Sequence, residues 1–302
     1  MKYLLLQRKS NAGGIILKKI LLLVILMIFS LTIAQAQPLS KKEEMNLGGP
    51  VKSVIEIDGF RKNEYDFSEK GLLVKKHTEF DFKTHRSRQN LLYDGKERMV
   101  KSKIIVILPN GEETETGITS ESEISYDDKN KIYQVWQIKK NEKSGFISGT
   151  LTNEGKKLRE DYLLLKNDFQ EYRYNSSSQL IKQAKFDKNG VPKSKTEFKY
   201  DVNGRLEEVQ SYSWIENQNK WQLRAEGKNK YDNLGRALHT IRKDYLEKDT
   251  LIDEVEFEYT EFDSYGNWTK RVDKSFYHHK VYGRIVKASP RTITREITYY
   301  EE

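Results

Sequence analysis

The sequence predicts an all-β protein of consecutive antiparallel hairpins, joined into one long, twisted, repetitive sheet that is partly curled or solenoid-like. Three observations carry this. A phrase, Tyr-Asp-x-x-Gly-Arg, stands at Tyr200-Asp201-Val202-Asn203-Gly204-Arg205 and returns at Tyr231-Asp232-Asn233-Leu234-Gly235-Arg236. Residues flanking the phrases alternate with period two, as Thr196, Phe198 and Tyr200 do with Glu197 and Lys199. Of 302 residues 36% are hydrophobic and 32% charged, while 18 are Tyr and 12 Phe, which suits half-exposed pleated sheets better than helix bundles.

The elements follow from the amino terminus. Lys18 and Lys19 precede the apolar run Ile20 to Ile33, which leads into Ala34-Gln35-Ala36. This is the pattern of a secretory signal peptide over residues 1–36, and the run is shorter than the roughly 20 residues a membrane-spanning helix needs. Cleavage leaves no membrane span. The chain has no Cys, so it can be neither a lipoprotein anchored through an amino-terminal cysteine nor a disulfide-stapled fold. Its expected destination is the periplasm or the exterior. The leader holds five basic residues and no acid, so the mature chain keeps 48 basic residues against 45 acidic ones, interspersed, and nucleic acid is set aside as a partner. Residues 37–47, QPLSKKEEMNL, read as a polar linker, and residues 48–302 as a single repetitive β domain.

Each part of the phrase has a mechanical reason. The Asp side chain accepts hydrogen bonds from amides inside the turn it opens. Gly204, Gly235 and Gly266, three residues after Asp201, Asp232 and Asp263, supply the positive φ that closes it. The aromatic residue before the Asp, Tyr200, Tyr231 or Phe262, ends a strand where its ring can cover the neighbouring hairpin. Further pairs stand at Tyr65-Asp66, Tyr93-Asp94, Tyr126-Asp127 and Phe186-Asp187, with degenerate copies at Thr152 to Gly155 and at Tyr174-Asn175. IIVILPNGEETETGI reads as a hairpin about Pro109-Asn110-Gly111. In KKLREDYLLLKNDFQEYRY, residues Leu158, Tyr162, Leu165, Phe169 and Tyr172 fit helical spacing as well as a strand.

YDVNGR and YDNLGR, with FDSYGN and FDKNGV, resemble the tyrosine-aspartate (YD) repeats of Rhs-type bacterial proteins. The start, NLGGPVKSVIE, and the end, REITYY, resemble small exported bacterial proteins built from divergent copies of that repeat. The resemblance implies a β-rich shell of hairpins pairing side by side. Spacing here is longer and less regular than the family's, and the chain is too short to enclose a toxin, so encapsulation is not implied.

Chemistry-bearing patterns are sparse. The five histidines, His77, His85, His239, His278 and His279, form no metal motif, and no cofactor is expected. Acidic pairs such as Glu112-Glu113, Asp127-Asp128 and Glu207-Glu208 are candidates for general acid and base work, but nothing singles one out. Trp214 and Trp221 flank the polar stretch IENQNK, where rings beside amide and acid groups can stack on sugars. The function expected is therefore non-enzymatic: an exported repeat module that binds a protein or glycan of the bacterial envelope. The competing expectations are a polysaccharide-active enzyme using unassigned carboxylates and a purely structural spacer.

Overall fold

The computed structural model describes residues 45–59, 61–80, 86–107, 113–114, 120–139, 142–163, 168–245, 250–279 and 284–301; the leader and most of the linker lie outside them. Among these residues the strands are β1 (Val51–Ile57), β2 (Arg61–Phe67), β3 (Leu73–Phe80), β4 (Arg86–Tyr93), β5 (Met99–Ile107), β6 (Glu113–Thr114), β7 (Ser120–Asp127), β8 (Ile132–Lys139), β9 (Glu142–Leu151) and β10 (Lys157–Tyr162). They continue as β11 (Asp168–Tyr174), β12 (Leu180–Phe186), β13 (Pro192–Tyr200), β14 (Leu206–Ile215), β15 (Lys220–Tyr231), β16 (Ala237–Tyr245), β17 (Thr250–Phe262), β18 (Trp268–His279), β19 (Arg284–Lys287) and β20 (Arg291–Tyr299).

All pairings are antiparallel, and the sheet closes. β1 pairs with β2 on one side and with β20 on the other, and β20 pairs back to β18. β6 and β19 hang on β5 and β18 outside the ring, which leaves a barrel of 18 strands. The expected open or solenoid-like sheet is thus corrected: accumulated twist brings the last strand beside the first, and closure pairs edges that a free sheet would expose. The alternative helix at 158–173 is also overturned, since β10 and β11 take up most of that stretch and pair at Arg159↔Glu171, while Leu165 lies outside the described residues. Ile107 pairs with Glu113, as the expected hairpin requires, although its Pro109-Asn110-Gly111 turn lies outside the described residues.

Turn chemistry fixes the rims. Asp201 receives the amides of Asn203 and Arg205 on Oδ1, each at 2.9 Å, while the Gly204 amide donates to the Asp201 carbonyl at 2.9 Å. Asp232 and Asp263 repeat the arrangement with Leu234 and Arg236, and with Tyr265 and Asn267. Related turns open at Ser68, Asp94, Asp127, Thr152 and Asn175. All eight join a strand to its partner at the same rim, one per hairpin, because strands alternate in direction. The irregular spacing of the sequence phrases is explained by two exceptions. The Asp187 turn joins β12 to β13 at the opposite rim. Tyr65-Asp66 lies inside β2, and the turn there opens two residues later, at Ser68.

Gly204 and Gly235 sit at φ 80° and 82°. Replacing either with Val forces a β-branched residue into the left-handed region, and each variant is expected to lose about 1 to 3 kcal/mol of stability in urea melts. Unchanged midpoints in both would refute the turn assignment.

The Tyr and Arg of the phrase lock one hairpin to the next. The ladder between neighbouring hairpins stops short of the turn-bearing rim, and a tyrosine hydroxyl takes over there. Tyr93, Tyr126, Tyr200, Tyr231 and Tyr259 donate to the carbonyls of Leu73, Met99, Leu180, Leu206 and Ala237, each the first residue of the preceding hairpin's return strand, at 2.8 to 3.2 Å. Arg205 binds its own Asp201 through Nε at 2.6 Å and the next hairpin's Asp232 carbonyl through Nη1 at 2.6 Å, and lies over the Tyr231 ring. In the last copy Tyr259, not Phe262, supplies the hydroxyl; Phe262 is 44% exposed and carries Arg236 against its ring.

Closure has its own parts. Asn267, in the place of the phrase's Arg, bonds the amide and carbonyl of Gly48 at 2.6 and 3.1 Å and the Tyr299 hydroxyl at 2.8 Å. Met45 and Leu47, read from sequence as the end of a polar linker, are buried with Val51, Val54, Tyr65 and Phe67. The Tyr300 hydroxyl donates to the Phe67 carbonyl at 2.5 Å, carrying the tyrosine lock across the seam.

Candidate functional site

Directly opposed residues share a face, so the registers can be followed round the ring. One face holds Val54, Tyr65, Thr78, Leu91, Ser102, Val135, Ile147, Glu160 and Tyr172, all buried, and is the concave, inner face. The opposite, outward face is a belt of ion pairs. Lys62–Glu64 (2.7 Å), Arg86–Glu79 (2.9 Å), Lys101–Glu121 (2.5 Å), Arg159–Asp161 (2.8 Å), Lys195–Glu197 (2.7 Å), Lys243–Glu226 (2.8 Å) and Lys274–Glu258 (2.8 Å) succeed one another around it. A lipid-facing barrel wall needs an apolar band in this position, so the wall is built to meet water.

Trp214 and Trp221 belong to this outward face. They are directly opposed across β14 and β15, with ring centroids 5.1 Å apart in an edge-to-face contact, and both are half-buried. The 3₁₀ turn Glu216–Gln218 and the left-handed Asn219 bring the strands together beneath them. Tyr212 lies one row further in, and Lys195 of β13 sits over it at 4.3 Å and over Trp221 at 5.3 Å. Lys195 is in turn held by Glu197. The result is a patch of three rings and one neutralised cation, open to solvent on the outward side. The sequence placed the two indoles at either end of one hairpin; the structure joins them into one surface.

The repeat residues take no part in such a patch. Asp201 and Asp232 are turn caps whose carboxyls stay below the usual range: burial opposes ionisation, but the amides of Arg205 and Arg236 and their guanidinium groups outweigh it. Asp263 caps the last turn, and Gly266 closes it with φ 77°. The acidic pairs are also engaged: Asp127 caps a turn, Asp128 binds Lys96 and Arg98, and Glu208 binds Lys199. Glu112 lies outside the described residues.

Two groups not anticipated from sequence stand out. The first is inside the wall. Glu160 and Lys157 are 2% and 4% exposed and meet at 2.6 Å, while the hydroxyls of Tyr133 and Tyr172 each donate to one Glu160 oxygen and Tyr162 stands within 3.4 Å. Gly149 lies between, where a Cβ would come 2.3 Å from the Tyr133 ring. Burial, then the Glu160 charge, pushes the Tyr133 and Tyr172 hydroxyls far above the ordinary tyrosine range, and burial lowers Lys157 despite its partner. The knot is sealed from solvent and holds its polar groups satisfied, an architectural role. In the sequence Lys157 and Glu160 look like solvated charges, and no local signal marks them.

The second is a notch in the wall. Beyond His239↔Glu256, where the ladder between β16 and β17 ends, the strands part around a cavity of about 780 Å³ bordered by Lys230, His239, Glu254, Glu256, Tyr259 and Lys274. A smaller one of about 270 Å³ lies at the equivalent parting of β5 from β7. His239 and His278 approach the Glu254 carboxylate from either side, at 2.7 and 3.6 Å. No group of three or more His, Cys, Asp or Glu among the described residues is arranged to hold a metal ion.

No family model and no curated protein matches the chain. Among solved structures it is similar to a porin-like protein from Bacteroides uniformis, at 11% identity over 83% of this chain and 99% of that one, with a TM-score of 0.45. A porin-like protein from Bacteroides vulgatus is 12% identical over 83% and 98%, with a TM-score of 0.27. The Tc holotoxin pore of Photorhabdus luminescens is 13% identical over 77% of this chain, which spans only 12% of the toxin chain, with a TM-score of 0.39. At these scores each is a likeness, and no activity follows from it.

Proposed function

We propose that this is an exported, non-enzymatic barrel of the bacterial envelope that binds a partner, glycan or protein, through the outward patch of Tyr212, Trp214 and Trp221. The observation that carries the reading is the indole pair. Two large apolar rings directly opposed on a water-facing wall cost solvation unless something covers them, and a belt of ion pairs runs round the same face. The leader supports export, and the ion-pair belt supports a wall standing in water rather than in lipid. Glu197, the carboxylate nearest the rings on β13, is held by Lys195 at 2.7 Å.

The test is co-sedimentation of the purified exported protein with peptidoglycan, envelope polysaccharides and outer-membrane vesicles, with the supernatant assayed for released fragments. Saturable binding by wild type is expected, weakened at least tenfold in Trp214→Ala/Trp221→Ala while its thermal melt stays unchanged. Released fragments would instead make the protein an enzyme, and absence of any saturable binding would make it a spacer; either overturns the reading.

A further inference from the structure

The indole pair is not isolated. Phe169 of β11 and Phe186 of β12 are directly opposed on the same outward face, stacked with centroids 5.0 Å apart and an interplanar angle of 17°. Phe186 pairs across a bulge with Pro192, and the β13–β14 ladder begins at Ser194↔Ser213, so the bulge residues Pro192 and Lys193 lie between Phe186 and Trp214. Two ring pairs, Phe169–Phe186 and Trp214–Trp221, therefore flank that bulge in one transverse row, with Ala184, Lys195 and Tyr212 forming the row beside it. From β11 to β15 the row crosses four interstrand steps, about 19 Å at the usual strand spacing.

Charge decides what such a row accepts. Its cations are Arg159 over Phe169 (3.7 Å), Lys193, and Lys195 over Tyr212 and Trp221. Each is ion-paired: Arg159 to Asp161 at 2.8 Å, Lys195 to Glu197 at 2.7 Å, and Lys193 to Asp168 at 2.8 Å, a carboxylate on the inner-face register of β11 that Lys185 also approaches at 3.8 Å. The row has apolar ring surface at both ends and cations already engaged with carboxylates. A polyanion would have to break these pairs to gain contacts of its own, whereas an uncharged chain of sugars can lay its apolar faces on the rings and share hydroxyl hydrogen bonds with the paired groups.

From the two ring pairs on one outward row and the ion-paired cations beside them we infer that the outward face between β11 and β15 is an extended track for an uncharged polysaccharide. This rests on the binding role assigned above to the indole pair, and adds two rings, a direction and a ligand class. Phe169 and Phe186 are outward-facing, so they can be changed with little disturbance of the inner face.

Binding of a soluble neutral glucan and of a polyuronate is to be followed by affinity electrophoresis and by quenching of tryptophan emission. The proteins are wild type, Trp214→Ala/Trp221→Ala and Phe169→Leu/Phe186→Leu, each checked by thermal melt. The expected result is retardation of wild type by the neutral glucan, unaffected by raising NaCl from about 0.05 to about 0.5 M, lost in the Trp variant and weakened on the order of tenfold in the Phe variant. Wild-type affinity in a folded Phe variant with loss in the Trp variant would overturn the track while sparing the indole site. Preference for the polyuronate, or affinity falling steeply with salt, would overturn the uncharged ligand. Failure of the Trp variant to change any binding would remove the indole site itself. Should the Phe variant melt low, Phe186→Tyr, which keeps the ring, serves in its place: it is expected to bind as wild type, and a tenfold loss would overturn the stacking role.

Discussion

Raising the pH from about 9 to about 12 is expected to unfold the barrel in one steep transition in which tyrosine ionisation and loss of the strand signal coincide. An exposed tyrosine ionises near pH 10. Tyr65 and Tyr126 are pushed up to about 12 by burial, and Tyr133, Tyr162 and Tyr172 are raised further by burial and then by the Glu160 charge. The folded state therefore keeps protons that the unfolded chain has released. Stability is fully present below about pH 10 and falls above it, by about 1.4 kcal/mol per pH unit for each such tyrosine. Five acting together remove within roughly two units as much as the whole 5 to 15 kcal/mol that commonly holds a domain folded. Lys157 and Arg295, both lowered by burial, have the opposite sign, since a lowered base stops opposing folding as the pH rises toward its unfolded value, but they are two groups against five. Tyrosinate absorbance and far-ultraviolet circular dichroism, recorded on the same samples, check this. A smooth ionisation centred near pH 10 with the strand signal intact would mean that the inner-face tyrosines are open to water.

Why these tyrosines lie inward was only half legible in the sequence. Period-two alternation gave the strands, and the Asp-x-x-Gly phrase gave the turns, because both are local: they depend on φ preferences and on a side chain reaching amides two and four residues away. Closure was not legible. It rests on Asn267 meeting Gly48, on Val54 opposite Ile297 and on Tyr300 reaching Phe67, contacts more than 200 residues apart in sequence. The Tyr and Arg of the phrase were visible as conserved letters of a repeat within the chain, yet their work is between hairpins, and only the register shows which carbonyl each hydroxyl meets. Phe262 shows the limit of matching letters: it occupies the Tyr position, but the bulges at Glu261 move the hydroxyl's task back to Tyr259. The same holds for the candidate site. Trp214 and Trp221 were found because two indoles flank a polar stretch, whereas Phe169 sat in a segment whose spacing fitted a helix and Phe186 was read only as the aromatic of a turn phrase, so their place on a common outward face appeared only with the strands paired.

Lys157→Met is expected to be among the most damaging single substitutions in the wall. The methionine fills the space of the lysine stem and removes only the cation, leaving the Glu160 carboxylate buried with Tyr133 and Tyr172 as its donors. Breaking one side of a buried pair in this way costs about 3 to 5 kcal/mol, because the remaining charge has lost its partner and cannot reach water. Glu160→Leu alone is expected to do no better, because it strands Lys157 and two hydroxyls at once. Lys157→Met, Glu160→Leu, Tyr133→Phe and Tyr172→Phe combined leave no polar group unmatched, and this variant is expected to regain most of the lost stability. Urea midpoints for the single and the fourfold variants decide it. If Lys157→Met melts like wild type, the pair is solvated and the knot is not what holds β8 to β11 together. A fourfold variant no better than the single one would mean instead that the hydrogen bonds of the knot, rather than its unpaired charge, set the stability of this part of the wall.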